Sequence, residues 1–510
     1  MCRLRLCLSF AVPALLVACG GGGGNPGTPP VVQPTPPTPP VSLRGTLIGS
    51  ATTVPVTLPS GSVNTLAPAQ FTQLLEAADK GSSNITGIPA CSVTIYTVKY
   101  HTVDSVAADT DASAAIMVPS GADSSCQGGR PVLLYAHGTS VLKNTDMTNL
   151  SATEPRLVAA MYAAQGYLVV APNYAGYAGS SLPYHPYLDA TQQADDMVDA
   201  LRAARQSFAA IGALDGGRLL VTGYSQGGFV AMATQRAMQT KYASEFKVLA
   251  AAPMSGPYAL LQFGDAIFGG APTMGSSAFL PMLINAAQRA GAGIYASTSD
   301  VYEAKYATGI DTLFPGTLGI GDLVAVGKLP NDVLFAQDSL PQTAGYASYF
   351  GPDHLLKTSY RNTYLSDLQA APCNASNAAP LACSPSQPLR RWLLNNDLRN
   401  YLPGVPLLLC GGDQDPLVPF QNTEAATAYF KAQGMPASAL TALDLDGSIG
   451  LDLYSETRVE FQAARQALRL ATIAAGGDGD KAVRDAYHAG LVAPFCMRAT
   501  RDFFHAALSR

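Results

Sequence analysis

The sequence predicts an α/β protein whose mostly parallel sheet is flanked by helices. Two observations carry this. From about residue 91 onward, β-rich apolar runs alternate with longer amphipathic stretches, the pattern of successive β-α-β units. At Gly223-Tyr224-Ser225-Gln226-Gly227 a Gly-x-Ser-x-Gly sequence also falls between an apolar run and a helical stretch, the strand–turn–helix junction at which such a sheet carries its chemistry. The candidate strands are 92–100, 114–118, 131–136, 168–171, 219–222, 248–252, 406–410 and 440–445, with helical patterns at 154–165, 191–211, 227–241 and 422–433. Right-handed crossovers then place helices on both faces of the sheet.

Composition bounds the function. The chain has 510 residues, of which 48% are hydrophobic and 13% charged, which excludes a disordered chain or a charge-laced coiled coil. Length alone allows two or three domains. A formal net charge of -5 argues against a nucleic-acid binder, which must neutralise phosphates. No internal repeat is present.

The first residues read as an address. Arg3 and Arg5 precede an apolar run, residues 6–18, too short to span a bilayer. It closes on Leu16-Val17-Ala18-Cys19, which resembles the lipobox of bacterial lipoproteins. That resemblance implies removal of residues 1–18, lipidation of Cys19 and a membrane partner held through the acyl chains. With Gly20 rather than Asp after the cysteine, the expected destination is the outer membrane, facing the periplasm or the cell surface, with release to the medium as a variant. Residues 19–45, rich in Gly and then Pro, form a tether: the glycines give slack, the prolines an extended spacer.

Nine cysteines occur. Cys2 and Cys7 leave with the signal and Cys19 is the lipid site, leaving an even number in an exported chain, which suggests disulfides. Six cysteines allow 15 connectivities; sequential pairing, Cys91–Cys126, Cys373–Cys383 and Cys410–Cys496, is expected. With no CxxC and no His/Cys cluster of zinc spacing, no metal is implied.

Residues 255–400 interrupt the alternation. They hold helical pieces such as 277–291 and the single Trp392, so they read as a largely helical insert rather than a loop. The core is then 46–254 and 401–510. The two small residues flanking Ser225, Gly223 and Gly227, are what a nucleophile on a strained turn requires, and the following helix N-terminus favours developing negative charge.

Together, LLYAHGT (133–139), VVAPNYAGYAGSS (169–181), VTGYSQGG (221–228), LLLCGGDQDPLVP (407–419) and YHAGLVAPFC (487–496) resemble the α/β-hydrolases, and within them the secreted bacterial lipases and esterases, including polyester hydrolases, with a lid between the sixth and seventh strands. The resemblance implies the order Ser, acid, His. Ser225 is the nucleophile. Of the 6 histidines only His488 and His505 follow the acid region, and His488, expected in a loop before the last helix, is preferred over His505 within that helix. The acid directly precedes PLVP, which selects Asp415; Asp413 is expected to bond its own backbone in the turn. Backbone N–H groups of Gln226 and Thr139 are the expected oxyanion donors. His137 and Gly138 brace that loop, with Tyr174, Tyr177 and Tyr224 nearby as packing or pocket residues. The expectation is a carboxylic ester hydrolase, a lipase or esterase with polyesters among its candidate substrates, needing no cofactor. The competing expectations are a secreted peptidase of the prolyl-oligopeptidase kind and a non-catalytic surface adhesin.

Overall fold

The computed structural model describes residues 43–78, 81–373 and 376–509. The expected signal, Cys19 and most of the tether lie outside them. Residues 43–510 form one compact unit.

All eight expected strands form: β5 (Ser92–Val103), β6 (Asp109–Ser120), β7 (Arg130–Ala136), β8 (Leu168–Pro172), β9 (Asp215–Tyr224), β10 (Val248–Met254), β11 (Leu407–Gly411) and β12 (Leu440–Asp444). Four strands ahead of them were not expected: β1 (Leu47–Thr53), β2 (Val56–Leu58), β3 (Gly61–Val63) and β4 (Thr65–Leu66). β2 to β4 have two or three residues each and β1 has no fully buried residue, so they carry little of the apolar signal that marks a buried strand. The main sheet runs β1-β5-β6-β8-β7-β9-β10-β11-β12, with β4 also on β5, while β2 and β3 pair separately. From β8 through β12 neighbours are parallel; β6 joins β8 antiparallel, as do β1, β4 and β6 to β5.

A sheet covered on both sides needs two cores, and β7 feeds both by strand alternation. Val132, Leu134 and Ala136 enter one core, Leu133 and Tyr135 the other. Helices α1 (Pro68–Ala78) and α2 (Ser82–Thr86) precede β5, and α3 (Thr153–Met161) follows β7. Together with the last helix, α1 and α3 fill the second core through Phe71, Val158, Phe495 and Met497. Helices α4 (Ala190–Ser207) and α5 (Gln226–Thr240) close the other face with Met197, Val198, Val230 and Met232.

Between β10 and β11, the sixth and seventh expected strands, lie α6 (Leu260–Phe268), α7 (Ser276–Arg289), the short α8 (Ala304–Ala307) and α9 (Ile320–Ala325), α10 (Thr358–Ala370) and α11 (Pro388–Asn396). No strand of either sheet lies between them among the described residues. Buried Arg390 on α11 joins three of these helices, pairing with Asp265 of α6 at 2.9 Å and Asp367 of α10 at 2.7 Å. A buried cation is tolerable only when paired this fully. The insert also holds the sheet's loops: Met274 N–H donates to Pro416 O at 2.9 Å, and Gly316 N–H to Val141 O at 2.8 Å.

Helix α12 (Gln421–Ala432) follows β11. After β12 come α13 (Ser455–Ala474), α14 (Gly479–Ala486), a π-helical turn (Tyr487–Val492) and α15 (Ala493–Leu508). Only the last of these was expected. Cysteine pairing is sequential: Cys91–Cys126, Cys373–Cys383 and Cys410–Cys496 are bonded. The third joins β11 to α15 across 86 residues.

Replacing both Cys410 and Cys496 by Ser is expected to cost about 2–4 kcal/mol, since it removes a long covalent loop closure from the unfolded state. Urea unfolding under oxidising conditions measures this. A midpoint unchanged from wild type would show that the bridge contributes no stability.

Candidate active site

Ser225 lies between β9 and α5 with φ 61° and ψ -121°, a region that a non-glycine residue occupies only when its surroundings force it. The force is packing. A Cβ on Gly227 would collide with the carbonyl of Ala136 at the end of β7, and one on Gly223 with the carbonyls of Gly227 and Ala136. Gly228 abuts the Met254 carbonyl in the same way, and Ser225 N–H donates to that carbonyl at 2.9 Å. The turn is therefore pressed between the ends of β7 and β10, with Ser225 only 6% exposed.

His488 is not in a loop. It occupies the π-helical turn between α14 and α15, where one wide turn re-aims a side chain without breaking the helix. Nδ1–H of His488 donates to Asp415 Oδ2 at 2.6 Å. Asp415 Oδ1 accepts from the N–H groups of Leu417 and Val418 at 2.9 and 3.1 Å. Nε2 of His488 is buried and has no hydrogen-bond partner. It is not bonded to Ser225, but the residue before the serine is in contact: Tyr224 OH donates to the His488 carbonyl, and the two rings lie 5.0 Å apart.

The other candidates separate clearly. Asp413 is exposed, and the turn is closed by its backbone N–H on Asp444 Oδ1 at 3.0 Å rather than by its own carboxylate. His505 is exposed on the last turn of α15. The loop before Asp415 and the residue before His488 share a partner that no sequence motif singles out. Asp446 accepts from Gln414 N–H at 3.2 Å and from Tyr487 OH, and pairs with Arg465.

After β7, side chains hold the backbone of His137, Gly138 and Ser140. The His137 carbonyl accepts from Tyr174 OH at 3.0 Å and the Ser140 carbonyl from Tyr177 OH at 2.5 Å. His137 stacks on Tyr174 at 4.2 Å, and its ring nitrogens face the carbonyls of Gly138 and Asn173 at 2.7 and 3.1 Å. A neutral imidazole has one N–H, and at 2.7 Å Nδ1 is the nitrogen placed to donate it, to the Gly138 carbonyl. Tyr174 and Tyr177 are packing residues. The tyrosine that lines the pocket is Tyr187, whose hydroxyl is 3.1 Å from Thr139 Oγ1. The N–H groups of Thr139 and Gln226 meet no protein acceptor among the described residues.

His185 was not singled out from the sequence. Its Nδ1–H donates to Ala175 O at 2.9 Å, and Nε2 accepts from the side-chain amides of Gln226 at 2.6 Å and Gln193 at 3.2 Å. Burial drives its pKa down to about 3, so it stays neutral and holds the Gln226 side chain by one fixed tautomer.

From Ser225 and Gln226 a pocket runs between α6 and α7, lined by Leu260, Phe263, Phe268, Phe279, Leu283 and Leu393. Leu417 and Val418, beside Asp415, reach its wall. Its surface is overwhelmingly apolar, as a site for a hydrocarbon chain must be.

A family model described as secretory lipase matches residues 143–269. The rice cell wall degrading esterase LipA of Xanthomonas oryzae superposes with a TM-score of 0.63 at 26% identity, covering 79% of this chain and 91% of that one. The chain has the α/β-hydrolase fold and is similar to secreted lipases and esterases. A ligand-bound form of the same Xanthomonas esterase (TM-score 0.66, 24% identity, 90% of this chain and 98% of that one) and a Legionella pneumophila protein (0.62, 18%, 90% and 98%) share the fold. No curated protein matches the sequence. This hydrolase is an enzyme acting on carboxylic ester bonds.

Because the folded pKa of His185, about 3, lies below its ordinary 6.5, the unfolded chain binds a proton that the folded hydrolase refuses. This contribution to stability is present above pH ~6.5 and lost as pH falls toward 3, at up to about 1.4 kcal/mol per pH unit. Urea unfolding from pH 7 to 4 should show that slope in wild type and a shallower one in His185→Asn. Equal slopes would refute the assignment.

Proposed function

We propose that this hydrolase works through an acyl-enzyme on Ser225, with His488 as proton carrier and Asp415 as its orienting partner. The carrying observation is the Asp415–His488 hydrogen bond: it fixes the imidazole tautomer and leaves Nε2 as a buried, unpartnered acceptor beside the serine turn. Ser225 Oγ attacks the acyl carbon and its proton passes to Nε2. The imidazolium then gives that proton to the departing alkoxide as the ester C–O bond breaks. Water repeats the sequence on the acyl-enzyme and restores Ser225. Asp415 orients the ring and steadies the imidazolium. The free N–H groups of Thr139 and Gln226 receive the oxyanion. His137 and Gly138 shape that loop, while Tyr224 steadies the turn carrying His488.

The apolar pocket favours the acyl part of the ester as its occupant, with residues 255–400 as the lid that supplies its walls. Esters borne on large or insoluble material, including polyesters, suit an enzyme tethered by residues 19–45 to an outer membrane through lipid on Cys19. The Xanthomonas relative, which degrades rice cell walls, is consistent with such substrates.

Ser225→Ala is expected to abolish p-nitrophenyl ester hydrolysis and fluorophosphonate labelling. Asp415→Ala should lower kcat by about 10³–10⁴-fold, whereas Asp413→Ala should stay within about twofold. Labelling of Ser225→Ala, a larger loss in folded Asp413→Ala, or faster cleavage of aminoacyl-p-nitroanilides than of esters would each overturn the reading.

A further inference from the structure

Glu154 is the second residue of α3 and follows the 137–140 loop on the surface of the same core. The residue is half-buried and its carboxyl group enclosed. Oε1 accepts from Gly138 N–H at 2.9 Å and from Tyr135 OH at 2.8 Å. Oε2 takes no hydrogen bond, and a Cβ on Gly138 would lie 3.4 Å from it and from the Tyr224 carbonyl. A glycine is the most conformationally free residue, yet Gly138 is held on both sides: its N–H by Glu154, its C=O by His137 Nδ1. Peptide planarity converts this into aim. The Gly138 carbonyl and the Thr139 N–H belong to one trans peptide and point in opposite directions. Holding the carbonyl toward His137 therefore turns the Thr139 N–H the other way, where it meets no protein acceptor.

We propose that Glu154 is a positioning residue of this hydrolase: its carboxyl oxygen holds the Gly138 N–H and so anchors the glycine from which the Thr139 N–H is aimed as oxyanion donor. This rests on the serine-hydrolase reading above. The groups facing the carboxylate are Tyr135 of β7, His137 after it, Tyr174 after β8, Tyr224 at the end of β9 and His488 in the π-helical turn. Burial pushes the three tyrosines well above their ordinary range, so they remain neutral. Burial also raises the carboxyl of Glu154 itself, against the opposing effects of His137, the Gly138 N–H and Tyr135.

Two substitutions separate this role from a structural one. Glu154→Ala leaves the Gly138 N–H without its acceptor, so kcat should fall by about 10–100-fold with KM within about threefold. Glu154→Gln keeps an oxygen that can accept from Gly138 and should recover most of that kcat. Rates are normalised to sites titrated with a fluorophosphonate, which removes the effect of misfolded protein. A loss confined to kcat in Glu154→Ala and recovered in Glu154→Gln supports the proposal; no loss in Glu154→Ala, or an equal loss in both variants, overturns it. If Glu154→Ala does not fold, Glu154→Gln decides, a kcat near wild type supporting the proposal and a loss of about tenfold or more overturning it. These outcomes are read in enzyme that labels at Ser225 and hydrolyses ester, so they fail independently of the acyl-enzyme reading.

Discussion

The closest contact in the site is between backbones. Gly227 meets the Ala136 carbonyl with no room for a side chain, and Gly223 and Gly228 meet carbonyls in the same way. This contact draws α5 onto the end of β7 and forces Ser225 into its positive-φ turn. It also brings the start of α5 beside the loop leaving β7, so that two unpaired N–H groups from distant parts of the sequence share one neighbourhood. Without these glycines the helix would stand off from the sheet, and nothing else described here could compensate. Strain at one residue is sustained because three strands hold it from below.

Around that centre, most side chains act on backbone. Tyr174, Tyr177 and His137 fix carbonyls of the 137–140 loop; Asp415 takes two N–H groups of its own turn; Asp446 joins the acid's loop to Tyr487. The Cys410–Cys496 bridge reinforces the same connection covalently, from β11 to α15. The insert contributes from the other side through hydrogen bonds to Pro416 and Val141. The site is thus supported by loops tied to each other as much as by the strands below them.

What the sequence makes legible follows from how local each signal is. The strands β5 to β12 are apolar runs of sufficient length, and Ser225 has glycines at fixed spacing, so neither needs tertiary information. Asp415 was separable from Asp413 by its place before PLVP, and the geometry sets them far apart in burial. By contrast, β2 to β4 are too short to stand out and β1 has no fully buried residue, while α13 and α14 lie in a stretch rich in charge and alanine with few fully buried residues. The roles of Glu154, His185 and Asp446 depend on residues far along the chain that fold back onto them. An acid near the start of a helix looks like ordinary helix chemistry until the loop before it is seen to donate to it. His488 illustrates the middle case: its identity followed from chain order, while its setting in a helix did not.

That setting has its own consequence. A π-helical turn holds one residue more than the α-helical turn it replaces. Deleting a single residue between Tyr487 and Val492 would let α14 and α15 run together as continuous α-helix, at little cost to their hydrogen bonding. Side chains beyond the segment would keep their directions, because the turn still closes one revolution, and only those inside it would be re-aimed. The imidazole would leave Asp415 while the surrounding helix stayed intact, so chain length in this short segment sets the direction of a functional group as firmly as residue identity does.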